Sequence, residues 1–115
     1  MRMTIENWRR FRTHHKKTTI RLHILGTGLS QERIVLGGPR FKPVRLGRLR
    51  VAWNGWNGGY RKVCHLTEVD AINDGFDTLT ELIIELAQRN PELTAETGTY
   101  IHSAVVVEDL TREAA

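Results

Sequence analysis

The chain has 115 residues, of which 40% are hydrophobic and 26% charged, which is the length of one domain and too apolar for a disordered segment. No apolar run approaches the roughly 18 residues that cross a bilayer, residues 1–12 lack the apolar stretch of a signal peptide, and Cys64, the only cysteine, excludes an internal disulfide and a cysteine-based zinc cluster. The expectation is one uncrosslinked cytoplasmic domain over 1–115, its core at about 5–107 and a frayed tail at 108–115. The net charge of +4 hides an asymmetry: residues 1–62 hold 15 of the 17 Lys and Arg with only Glu6 and Glu32, while residues 63–115 hold Arg89 and Arg112 against 11 acids. An arginine-rich basic half flanked by tryptophans points to an anionic, nucleic-acid-like partner; mutual neutralisation of the halves is the alternative.

In chain order, Thr4 reads as the cap of a helix running to about Thr13, with Ile5, Trp8 and Phe11 at helical spacing. From Thr18 the pattern alternates, Thr18, Ile20, Leu22 and Ile24 against Thr19, Arg21 and His23, which predicts a strand with one apolar face. Gly26, Gly28, Gly37, Gly38 and Pro39 predict a long loop over 25–43 with a short apolar segment at 34–36. Leu49, Val51 and Trp53 alternate with Arg48, Arg50 and Ala52 in a second strand. A Gly- and Asn-rich turn at 54–59 then leads to a third strand from Tyr60 to about Val69, the two forming a hairpin. The spacing Thr78-Leu79-Thr80-Glu81 fits a capping box, and Leu79, Leu82, Ile83 and Leu86 give the helix an apolar stripe that Asn90-Pro91 ends. A last strand covers about 100–107. With one helix between strands, a parallel α/β layer is excluded, and the pattern predicts an α+β fold, a small mixed barrel or curled sheet flanked by two main helices.

Two clusters carry candidate chemistry. Thr19 and Arg21 leave one face of the first strand, and a turn out of the helix would bring Lys16 over it. A desolvated lysine loses its proton readily and can activate a hydroxyl or a water; a solvated basic cluster is the structural alternative. In Asn73-Asp74-Gly75-Phe76, Asp74 can pair with Lys16 or act as an acid/base itself, although an Asx-Gly turn before a helix needs no function. Trp56, Arg50 and Arg61 surround the Gly-rich turn where a base could stack, while Trp53 continues the apolar face of its strand and reads as core. No His or Cys spacing fits a zinc or di-metal centre, so no metal or cofactor is expected.

These pieces in this order resemble the ASCH family, a branch of the PUA-like RNA-binding superfamily. Lys16, Thr19 and Arg21 match the Lys, Thr and Arg of its Gly-x-Lys-x-x-Thr-x-Arg signature, with His14 in the Gly position. Residues 45–51 are similar to the Gly-Asp-x-hydrophobic approach to the family's second strand, with Arg48 for the acid. Asp74-Gly75-Phe76 resembles the Glu-Gly-Phe turn, with Asp for Glu, and the closing strand at 99–107 fits as well. The resemblance spans about residues 5–107 and implies a PUA-like β-barrel with a cleft for RNA or a modified nucleoside. Some bacterial members are amidohydrolases that remove the acetyl group of N(4)-acetylcytidine, some are reported ribonucleases, and others are thought only to bind RNA. Carried over, Lys16 would be the base, Thr19 the nucleophile or water-positioning hydroxyl, Asp74 the acid partner and Arg21 a substrate ligand.

Overall fold

The structure, a computed structural model, describes residues 1–25 and 30–111. Thr4 caps helix α1 (Ile5–Thr13) by accepting the Asn7 N–H. Strands β1 (Thr18–Arg21), β2 (Gln31–Gly37) and β3 (Val44–Trp53) follow, then a single helical turn α2 (Trp56–Gly59) and a short strand β4 (Tyr60–Lys62). After a 3-10 turn at Val63–His65 come helices α3 (Glu68–Asn73) and α4 (Leu79–Arg89) and the long strand β5 (Gly98–Asp109). The fold is α+β, as the pattern of elements predicts.

The sheet has the order β1-β5-β3-β2, with β4 paired to β5, and every strand pair is antiparallel. Three sequence expectations are corrected. The segment expected as a loop at 25–43 contains β2, whose ladder to β3 covers seven residues with a bulge between Val35 and Leu36; residues 26–29 of that segment lie outside the described residues. The expected hairpin does not form, because β3 takes β2 and β5 as neighbours while β4 pairs only with β5. The strand expected over 60–69 stops at Lys62, and a capping box in which Thr67 and Asp70 satisfy each other's backbone N–H starts α3 instead. At the other end, β5 runs on to Asp109, into the stretch read as a frayed tail, and residues 112–115 lie outside the described residues.

β5 separates two cores. On one face Trp8, Met3, Val35, Leu46, Leu49, Val51 and Ala104 pack together under α1. On the other, Ile20 and Ile101 meet Leu66, Ala71, Phe76, Leu82 and Leu86 from α3, α4 and their connections. Gly47 lets these layers close, since a Cβ there would strike the Glu108 carbonyl and lie 2.7 Å from the Trp8 ring. Among the described residues the curled sheet does not close by strand pairing. Side chains bridge its edges instead: Arg21 Nη1 donates to the Arg2 carbonyl (3.1 Å), whose residue forms a bridge with Leu36 of β2, and Arg33 of β2 donates to the Leu25 carbonyl beyond β1.

Candidate functional site

Lys16 and Asp74 are 58 residues apart in sequence and meet because two chain reversals coincide. α1 ends with the His14 N–H on the Arg10 carbonyl, His15 takes φ 50°, and the Lys16 N–H returns to the same carbonyl (3.1 Å). Asp74 ends α3, and Gly75 (φ 89°) turns the chain towards α4. A Cβ on Gly75 would stand 2.9 Å from the Arg10 Cβ and 3.1 Å from the Lys16 Cβ, so the approach of the two segments requires glycine. Arg10 seals the junction, donating to the Gly75 carbonyl (2.8 Å) with its guanidinium over the Phe76 ring.

Inside it, Lys16 Nζ stands 3.0 Å from Asp74 Oδ1 and donates to the Asp74 carbonyl (2.9 Å), and Thr18 Oγ1 donates to the same carboxylate oxygen (3.1 Å). Both charged residues are buried, Lys16 at 6% and Asp74 at 5% exposure. Burial pushes the Lys16 pKa below its ordinary value; Asp74 opposes this, and Arg21 and Arg10 push it further down. Burial raises the Asp74 pKa, with Lys16, Thr18 and Arg21 pulling against it. Both shifts favour uncharged forms.

Thr19 does not join this pair by a hydrogen bond; its hydroxyl accepts from Arg21 Nε (3.1 Å). Thr18, which sequence reasoning passed over, holds the carboxylate instead. Thr19 and Arg21 share a face of β1, and the register sets Thr19 opposite His102 and Arg21 opposite Tyr100 of β5. Across β5, Trp53 stands opposite His102 and Tyr60 opposite Tyr100, so these six side chains share one face. There Trp53, Trp56, Tyr60 and Tyr100 form a network of edge-on and tilted rings with centroids 5.4–6.0 Å apart. Trp53 also touches the buried His102 (5.6 Å), whose Nε2 accepts the Leu25 N–H (2.9 Å), leaving the ring proton on Nδ1 towards the Tyr100 carbonyl (3.1 Å). Burial pushes the His102 pKa down. Trp56 crowns the network at 64% exposure. Trp53 and Trp56 were singled out in the sequence, whereas the Tyr100 and His102 side of the cluster shows there only as their alternation along the last strand.

Of the expected substrate ligands, Arg50 lies 3.6 Å from Glu32 and Arg61 3.2 Å from Asp70. The two charge halves neutralise each other in part, through Arg12 and Asp109 (3.4 Å), Arg45 and Glu108 (2.9 Å), and Lys62 and Glu96 (2.7 Å). Among the described residues, Arg2, Arg9, Arg10, Lys17, Arg21, Arg33, Arg40, Lys42 and Arg89 have no carboxylate within 4.0 Å, and they carry the remaining positive field. Four surface clefts among the described residues include Arg21 in their lining but not Lys16, Thr19 or Asp74.

Fold and site together define an α+β domain with a curled antiparallel sheet, a buried Lys–Asp junction beside it and an aromatic face. No family model matches the chain, and no curated protein matches it. The crystal structure of protein EF3133 from Enterococcus faecalis V583, which bears the family-model name DUF984, is similar to it with a TM-score of 0.55 and 17% identity, over 90% of this chain and 71% of that one. At that identity the likeness is one of fold. Among the described residues no helix is long and apolar enough to cross a membrane.

Proposed function

We propose that this chain is an ASCH-like domain of the PUA-like kind that acts in the cytoplasm on RNA or a modified nucleoside, as a hydrolase of the N(4)-acetylcytidine amidohydrolase or ribonuclease type. The observation that carries the reading is the buried contact between Lys16 and Asp74, two of the three residues that the family resemblance makes catalytic, at 3.0 Å. In the amidohydrolase form, neutral Lys16 takes a proton from a water held by the Thr19 hydroxyl. The water oxygen bonds to the acetyl carbon, and Arg21 faces the developing oxyanion. The carbon–nitrogen bond then breaks, the proton passes from Lys16 to the exocyclic nitrogen, and acetate and cytidine leave. Asp74 keeps Lys16 in place and Trp56 offers its open face to a base, while the register sets Arg50 and Arg61 on the opposite face of the sheet. The reaction as written uses no cofactor.

A non-catalytic RNA-binding module is the second reading, favoured by the enclosure of Lys16 and Asp74 away from these four clefts. Purified protein incubated with N(4)-acetylcytidine and with a mixed RNA pool separates the two. Hydrolysis predicts acetate or cleaved RNA, reduced at least ~100-fold in Lys16→Met and Thr19→Val. Absence of turnover on both substrates at high protein concentration sinks the hydrolase, and RNA binding that survives Lys16→Ala then identifies the module.

A further inference from the structure

Arg89 belongs to the acidic half of the sequence and has no part in the Lys16 junction. From the last turn of α4 it lines three clefts that adjoin one another, and in the innermost it stands with Arg21. That cleft, about 160 Å³, is lined by Ile20, Arg21, Leu22, His23, Leu86, Arg89 and Asn90. It exceeds the ~30 Å³ that one water takes up in the liquid and has room for a group of phosphate size. Two arginines thus share a small, largely polar cleft with Ile20, Leu22 and Leu86 as its apolar part, and their charges repel each other across it. Among the described residues neither has a carboxylate within 4.0 Å.

The Arg21 guanidinium is also held in a fixed direction. Its Nε donates to Thr19 Oγ1 and its Nη1 to the Arg2 carbonyl, while Nη2 is buried without a partner among the described residues. A guanidinium tied at two nitrogens keeps a fixed direction, and its buried third nitrogen still lacks an acceptor. Burial and the facing charge of Arg89 lower the Arg21 pKa to about 10, against the pull of Asp74. The end of α4 carries partial negative charge, which the backbone and side-chain N–H groups of Asn90 offset in part by donating to the Leu86 carbonyl (3.0 and 2.9 Å). Carboxylates lie in the adjoining clefts, Glu6 and Glu85 on one side and Glu92 on the other, and Asp74 acts on Arg21 from its pairing with Lys16.

We infer that the Arg21–Arg89 cleft is a phosphate subsite, the two guanidinium groups gripping one phosphate. Resting on the nucleic-acid reading above, it makes the ligand a nucleotide or an RNA strand rather than a bare nucleoside. Inorganic phosphate titrated into the intact protein, followed by calorimetry and by the arginine side-chain NMR signals, tests the subsite without any turnover. Saturable binding that perturbs the Arg21 and Arg89 signals is expected. Arg89→Gln should weaken it at least ~10-fold, with part of the loss recovered in Arg89→Lys, which keeps the charge but not the fork. Cytidine 5′-phosphate should bind more tightly than cytidine, and trinucleotides with and without a 5′-phosphate tell a terminal from a backbone phosphate. Absence of saturable phosphate binding, equal binding by Arg89→Gln, or acetate binding as tightly as phosphate overturns the inference. Phosphate binding without turnover of either N(4)-acetylcytidine or RNA would sink the hydrolase reading alone, and turnover without phosphate binding would sink the subsite alone.

Discussion

Each member of the buried Lys16–Asp74 pair is tolerable in the interior because the other satisfies it. Removing one partner strands the other away from water, which costs about 3–5 kcal/mol, whereas replacing both by apolar groups of similar size is often neutral. Asp74→Ala is therefore expected to destabilise the protein by that amount in urea unfolding, and Lys16→Met combined with Asp74→Leu to recover most of it. A double variant as unstable as the single one would mean that the pair contributes more than mutual compensation. Asp109 behaves differently. Its carboxylate accepts from Trp8 Nε1 (2.9 Å) and from the Thr111 N–H and hydroxyl, tying β5 to α1. Burial opposes the ionised form, but the bonds from Thr111 and Trp8 and the charge of Arg12 outweigh it and hold the pKa below 3.8. The unfolded chain thus takes up this proton first, so the stabilisation is complete above the unfolded value and fades as pH falls through the lower folded one. Asp109→Ala should cost about 1.5–3 kcal/mol at pH 7, with the gap to the parent protein closing below pH 3.8 in acid unfolding.

Among the elements, the turn between α3 and α4 positions the site most directly. Gly75 combines φ 89° with contacts that leave no room for a Cβ. Gly75→Ala should lower stability by about 1–3 kcal/mol and push Arg10 off Phe76, read as a lower melting temperature and a changed Phe76 ring environment by NMR. A neutral substitution would show that the turn can rearrange. Helix starts were legible because a cap is local: Thr4 and Thr78 each accept the N–H three residues on. The Thr78 site is half of the expected box, since Glu81 accepts the Asp77 N–H and not that of Thr78. α3 was hidden by Val69 and Ala71, whose alternation mimics a strand, although Thr67 and Asp70 already spelled its cap. β2 was hidden for another reason. It lies at the sheet edge with only Val35 and Gly37 buried, so its alternation is faint and β3 decides its conformation.

For the molecule as a whole, the +13 and −9 halves of the sequence fold into partial neutralisation, leaving, among the described residues, cations such as Arg2, Arg21, Arg33 and Arg89 without a carboxylate within 4.0 Å. Binding of single-stranded RNA should therefore fall at least ~10-fold between 50 and 200 mM salt, as a few phosphate contacts require, measured by fluorescence anisotropy. A flat salt response would remove the basic surface from the account. The sequence by itself determined the α+β class, the capped helices, the long final strand and the residues 16, 19, 21 and 74 as those worth watching, because caps, alternation and short motifs act over a few residues. Only the tertiary structure decided that Lys16 meets Asp74, that Thr18 and not Thr19 completes that contact, that an aromatic face gathers around Trp53, and that Arg89 stands beside Arg21. Those pairings span tens of residues, and strand partners and helix packing, which no local pattern encodes, set them.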